Sequence, residues 1–230
     1  MAWVRMVAVG FAGVSVALAG TAPGERPVRP ERRVESRQRP AERSPTRLDP
    51  QRLVKDARAQ IGVTTSYDPA YRLMDFPLGD LPQSTGVCSD VVIRALREQG
   101  FDLQQAVHDD MGRKFGAYPR TWGLKGRDRN IDHRRVFNLE TYFTWQGWRV
   151  PLKAGRPLTP QPGDIVTWMM PNNQGHIGIA SDRTVAGTTV PLILHNIGTG
   201  TQEEGVLFAF PLRGIFRIPA VQRGEATPVR

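Results

Sequence analysis

One residue in this chain can act as a sulfur nucleophile, because Cys88 is its only cysteine. A thiol that attacks a carbonyl needs a lowered pKa, a base to share its proton, and a third group to orient that base. The base candidates are few, since the chain has four histidines. His176 opens the segment HIGIASD, and His195 lies near the end of VPLILHN, followed by Asn196. Either His195 or Asn196 has the chemistry to fix the tautomer of a neighbouring imidazole. The other two histidines fall in polar stretches, His108-Asp109-Asp110 and Asn130-Ile131-Asp132-His133-Arg134-Arg135. Their spacing fits no standard ligand set and there is no HExxH, so neither a metal nor another cofactor is expected. Arg134 or Arg135 could bind a substrate carboxylate in bidentate fashion. The alternative is an Asp–Arg network that ties down an irregular loop.

Helices and strands must position these groups. CSDVVIRALREQ predicts a helix over 88–99, stopped by Gly100. Cys88 then sits at a helix N-terminus, where unpaired N–H groups and the helix dipole favour a thiolate. Its own N–H could help hold an oxyanion, and Gly86 allows close backbone approach. Upstream, Asp49 and Pro50 open a helix that stops at Gly62, with Leu53, Ala57 and Ile61 at helical spacing. A long loop follows, TTSYDPAYRLMDFPLGDLPQSTG. Asp102 caps a helix reaching about Phe115, residues 116–136 read as irregular, and a short helix spans about 139–145. The pattern then turns to strands: IVTWMM after Pro162-Gly163-Asp164, then HIGIASD, VPLILHN, VLFAF and GIFRI. Helices followed by an antiparallel meander predict an α+β domain. Alternation places His176, Gly178 and Ala180 on one face and Ile177 and Ile179 on the other. The imidazole is thus expected on a face of small residues, with room for a substrate. His195 shares a face with Ile193, and Asn196 points the other way. Trp122, Trp145, Trp148 and Trp168 are expected in the core or a groove wall.

The chain ends read differently. Arg5 and the apolar run that ends at Ala17-Leu18-Ala19 have the layout of a secretory signal peptide over residues 1–20. The run is about 14 residues, short of the roughly 20 that a spanning helix needs. Residues 21–47 read as a disordered Pro/Arg-rich linker that cannot bury enough surface to order itself. This linker carries +4 of the formal +9 net charge, so the high pI says little about the domain over 48–220. A basic tether could make weak contact with an anionic envelope. Residues 221–230 read as a flexible tail. No aromatic-and-basic nucleic-acid motif is present. Export fits a periplasmic location, where a lone thiol is a liability unless it is used or buried.

The segment GVCSDVVIRAL resembles the cysteine helix of NlpC-type peptidoglycan peptidases, the cell-wall branch of the papain-like enzymes. Pro162-Gly163-Asp164, His176-Ile177-Gly178-Ile179 and Leu194-His195 follow in the order found in those peptidases. AQIGVTTSY resembles their helix end with a nearby tyrosine, which makes Tyr67 a candidate active-site residue. Val87 stands where they usually carry Asp, and Asp90 where they usually carry a small residue. More closely, the chain resembles an exported bacterial family catalogued as domain of unknown function 1287. That likeness runs through YDPAY, GDLP, GVCSDVVIRA, HDDM, NIDHRRV, PGDIVTW, HIGI and HNIG, from about Ile61 to Ile218. The resemblance implies a papain-like fold, with the Cys helix packed on an antiparallel sheet. It implies Cys88 as nucleophile, His176 as base and His195 as orienter, with Tyr67 as an oxyanion or substrate contact; beside it, Asn196, Ser89, Asp90 and Arg134 are further candidates for such contacts. The implied activity is cleavage of an amide bond in peptidoglycan stem peptides through a thioester, by an amidase or endopeptidase. Thiol acyl transfer is an alternative. So is a non-catalytic wall-binding or envelope-assembly module on a papain-like shell, with Cys88 as a buried structural residue.

Overall fold

Asp49 opens the first helix, α1 (Pro50–Arg58), by accepting the N–H groups of Gln51 and Arg52. The computed structural model describes residues 48–219 apart from 122, 124 and 152–158. The expected signal peptide, linker and C-terminal tail, together with Trp122, lie outside the described residues. Helix α1 ends before Ile61, which is 40% exposed rather than packed beside Leu53 and Ala57. Gln60 takes the inward place in that turn, donating its amide to the carbonyl of Val91 at 2.9 Å. Three more helices follow: α2 (Cys88–Arg97), α3 (Leu103–Lys114) and α4 (Val136–Trp145). Asp102 caps α3 through the N–H of Gln104, as its sequence position predicts. Helix α4 starts three residues earlier than its pattern suggested.

The long loop before α2 contains a short parallel pair that its sequence does not announce. β1 (Ser66–Tyr67) runs beside β2 (Thr85–Gly86). The main sheet has five antiparallel strands: β3 (Ile165–Met169), β4 (Gly175–Thr184), β5 (Pro191–Asn196), β6 (Thr201–Glu204) and β7 (Leu212–Phe216). Their order is β6-β5-β4-β3-β7, so β3 to β6 form a meander and β7 crosses back to the far side of β3. The expected strand VLFAF is instead a turn. Leu207 is buried, Phe208 is 70% exposed, and the N–H of Ala209 returns to the carbonyl of Val206. The fourth strand is the polar TQEE, an edge strand.

The pleat sorts the sheet into two cores. Ile165, Ile177, Ile179, Leu194 and Phe216 pack with residues of α1, α2 and α4. Val166, Trp168, Ala180, Ile193 and Ile215 pack with Leu207 on the opposite face. Each Ile, Leu, Val or Phe side chain among them, fully buried, contributes roughly 1.5–3 kcal/mol. Trp148 stacks on Phe143 at 5.2 Å in the helical core, whereas Trp145 is exposed. The Pro162-Gly163-Asp164 turn joins several elements. Gly163 has φ +86° and lies so close to Pro50 that a Cβ would collide with it. Buried Asp164 pairs with Arg217 at 2.8 and 2.7 Å, which ties the entry of β3 to the exit of β7.

Candidate active site

Cys88 is the first residue of α2, and buried charge holds the turn that delivers it. Asp90 accepts the N–H of Val87 at 2.6 Å, satisfying one of the unpaired donors of a helix start. The same carboxylate forms a buried two-pronged pair with Arg134: Nε to Oδ1 at 3.0 Å and Nη2 to Oδ2 at 2.9 Å. Ser89 Oγ donates to the carbonyl of Arg134 at 2.9 Å. The Asp–Arg network is therefore present, with Asp90 as the partner of Arg134, while Arg135 reaches Asp132 at 3.5 Å. Gly86 makes this turn possible, because a Cβ there would stand 3.2 Å from Asp90 and 3.3 Å from Arg94.

The thiol lines a cavity of about 300 Å³ together with Tyr67, Arg134, Arg135, Asn173 and Gly175. Tyr67, carried by β1, and the N–H groups of Ile177 and Ser89 stand near the sulfur and favour its charged form. Burial nevertheless pushes the thiol up to about 11. The Ile177 amide opposes that shift, Asp90 adds to it, and Ser89 and Tyr67 pull back. Burial therefore works against the help that a helix N-terminus gives a thiolate. Desolvation and a carboxylate in the same first turn oppose the helix dipole and favour the neutral thiol. Tyr67 is itself shifted upward, by burial first and then by the nearby sulfur.

The histidines form a second group. His176 Nε2 and His195 Nδ1 are 2.9 Å apart, and His195 Nε2 lies 3.1 Å from Glu204 Oε2. The two rings meet edge to face at 5.1 Å, and Trp168 lies 5.7 Å from His176. Burial, and then His195, lower His176 to about 3. Burial also lowers His195, against the pull of Glu204. Both rings are neutral at neutral pH. The expected room beside His176 is filled: a Cβ on Gly178 would stand 2.6 Å from Ile193 Cγ2 and 3.1 Å from His195 Cβ. The small residue admits the second histidine and not a substrate.

These two groups meet at β4. Helix α2 covers the face of Ile177 and Ile179, whereas the histidine pair belongs with Trp168 and Ile193 on the other. The sulfur touches the strand at the N–H of Ile177, the residue after His176. Among the described residues, no hydrogen bond joins the thiol to the His176 ring. Asn196 does not orient the imidazole. Its Nδ2 donates to the carbonyls of Ser66 at 3.2 Å and Gly86 at 3.1 Å, fastening β5 to the ribbon that leads into Cys88. Glu204 and the Ile177 amide escaped the sequence reading. A backbone group has no sequence signal, and TQEE lacks the apolar alternation that marks a strand.

The remaining polar residues secure the loop. Asp110 accepts the Tyr118 hydroxyl at 2.8 Å, and Asp132 accepts the N–H of Asp128. His108 packs edge-on against Phe76 at 4.8 Å. His133 is buried, which holds it at about 3.

The family described as domain of unknown function (DUF1287) matches residues 54–218 of this sequence. The uncharacterized protein YijF of Escherichia coli (strain K12) is 53% identical over 165 residues, covering 72% of this chain and 80% of that protein. The chain belongs to the DUF1287 family.

Proposed function

We propose that this member of the DUF1287 family is an exported, periplasmic cysteine hydrolase of papain-like architecture that cleaves an amide bond in peptidoglycan stem peptides. The observation that carries this reading is the position of Cys88. It opens a helix, lines a cavity, and lies against the peptide that follows His176. The order of Cys88, His176 and His195 along the chain matches the NlpC-type pattern. His176 Nε2 is already engaged by His195, so Nδ1 is the nitrogen left for the thiol proton.

In this mechanism, substrate entry brings the thiol and imidazole into hydrogen-bond contact. His176 takes the proton as the sulfur attacks the carbonyl carbon. The Tyr67 hydroxyl and the N–H groups at the start of α2 face the developing oxyanion. The tetrahedral species collapses, the carbon–nitrogen bond breaks, and His176 gives its proton to the departing amine. Water, deprotonated by His176, then hydrolyses the thioester and releases the carboxylic acid and the thiol. Arg134 and Arg135 line the cavity, each also paired with a carboxylate behind it, Asp90 and Asp132, so a substrate carboxylate would have to share them. Stem peptides carry such carboxylates.

The neutral thiol favours one rival, a wall-binding module without catalysis. Digestion of purified sacculi by wild type and Cys88→Ala, read by mass spectrometry, separates the two. The hydrolase releases new amine and carboxyl ends at one bond, and the variant loses at least a thousandfold in rate. Intact stem peptides after wild-type treatment, or equal cleavage by both proteins, rule out the enzyme.

A further inference from the structure

We infer that Glu204 is a positioning residue, the carboxylate that sets which nitrogen of each buried histidine carries its proton. This rests on the hydrolase reading for its consequence but not for its geometry. Glu204 stands on β6, two residues from Gln202, the register partner of His195, and so shares a face with that imidazole. Its neighbour Glu203 faces the other way and is taken up by Arg58 and Arg183. The Glu204 carboxylate meets His195 Nε2 at 3.1 Å with its own side chain 47% exposed.

An ionised carboxylate only accepts hydrogen bonds. His195 must therefore carry its proton on Nε2, which leaves a lone pair on Nδ1. That lone pair faces His176 Nε2 at 2.9 Å, so His176 must donate from Nε2. The lone pair of His176 is then fixed on Nδ1, the one form able to accept a thiol proton while keeping its bond to His195. The opposite arrangement would put two lone pairs, or two protons, into one of these contacts. When His176 becomes an imidazolium, the same chain connects its new charge to the carboxylate. The contact between the two rings leaves the choice open on its own, since either nitrogen can donate while the other accepts, and it is the carboxylate at the end of the chain that decides.

Long-range ¹H–¹⁵N spectra of the full-length protein at pH 8 report the tautomer of each histidine, with His176→Ala and His195→Ala supplying assignments. Both rings are expected as Nε2–H in wild type. Glu204→Gln can also present an N–H, and Glu204→Ala presents nothing, so both variants are expected to mix tautomers. Glu204→Asp, which keeps an acceptor-only group, is expected to retain the Nε2–H form. Cleavage of sacculi by Glu204→Gln should fall about tenfold with little change in KM and an unchanged circular dichroism spectrum. An Nδ1–H form of His195 in wild type overturns the inference, as do pure Nε2–H spectra in both Glu204→Gln and Glu204→Ala. If the tautomers respond as expected but wild type cleaves nothing, the positioning role stands and the hydrolase reading falls.

Discussion

The two sides of β4 are held by different forces. Around Cys88 the fixing contacts are charged: Asp90 with Arg134, buried, at 2.9 Å, and half-buried Asp80 with Arg94 at 2.9 Å and Arg97 at 3.1 Å. On the far face two neutral rings share one 2.9 Å hydrogen bond, and the chain ends at a carboxylate open to water. A buried ion pair needs both partners, because the survivor of a deletion is an uncompensated charge in a poorly solvated place. A neutral hydrogen bond with a solvent-exposed end contributes only about 1 kcal/mol. What the second chain supplies is the location of protons. The thiol side is where substitutions should break the fold, and the histidine side is where they should change chemistry with little effect on folding.

Asp90→Ala is the most severe way to try this contrast. It strands Arg134 and removes the cap on Val87 N–H, so a loss of about 3–5 kcal/mol is expected in urea unfolding. Glu204→Ala on the other face should stay below about 1 kcal/mol. Equal losses in the two variants would show that both sides depend on the same kind of contact.

Acid strikes the thiol side through His133, buried beside Arg134. Burial, and then the Arg134 charge, lower this imidazole from its ordinary 6.5 to about 3. Between those two values the unfolded chain binds a proton that the folded chain refuses. Its contribution to stability is therefore lost as pH falls from 6.5 towards 3, and it is constant above and below that window. The slope is about 1.4 kcal/mol per pH unit for one such group. His176, lowered to a similar value on the opposite face, adds a second increment. His133→Asn should remove one increment from the stability–pH curve between pH 6 and 4 and leave the other. A curve with unchanged slope would mean that His133 titrates normally in the folded chain.

Much of this architecture was legible because its signals are local. Asp49 and Asp102 as caps, the glycine stop after α2 and the alternation in β3, β4 and β5 each act within a few residues. The pairing of His176 with His195 followed from chain order and antiparallel neighbours. Three features were hidden. The bond between Asp90 and Arg134 spans 44 positions, and nothing near either residue specifies the other. VLFAF has the composition of a strand, but its turn serves to bury Leu207 over the second face of the sheet. The space at Gly178 on that same face is taken by Ile193 and His195, a long-range packing that the alternation alone does not reveal. TQEE looks like a loop because an edge strand needs little apolar surface, and Glu204 was hidden with it.

The protonation state of Cys88 sharpens the comparison in its smallest terms. A thiolate–imidazolium pair formed in the resting protein would alkylate with iodoacetamide at a rate nearly constant from pH 6 to 9. Here the thiol is pushed up to about 11 and both histidines are neutral, so the reactive fraction should grow about tenfold per pH unit across that range. A log-linear rise in labelling rate is expected in wild type. Tyr67→Phe removes a hydroxyl that stabilises the thiolate and should shift the line down by less than tenfold without bending it. A plateau near pH 6 would mean that the two sides of β4 already exchange a proton before any substrate binds. In the proposed mechanism a neutral resting thiol would place that exchange after binding, when a carbonyl carbon is there to receive the sulfur.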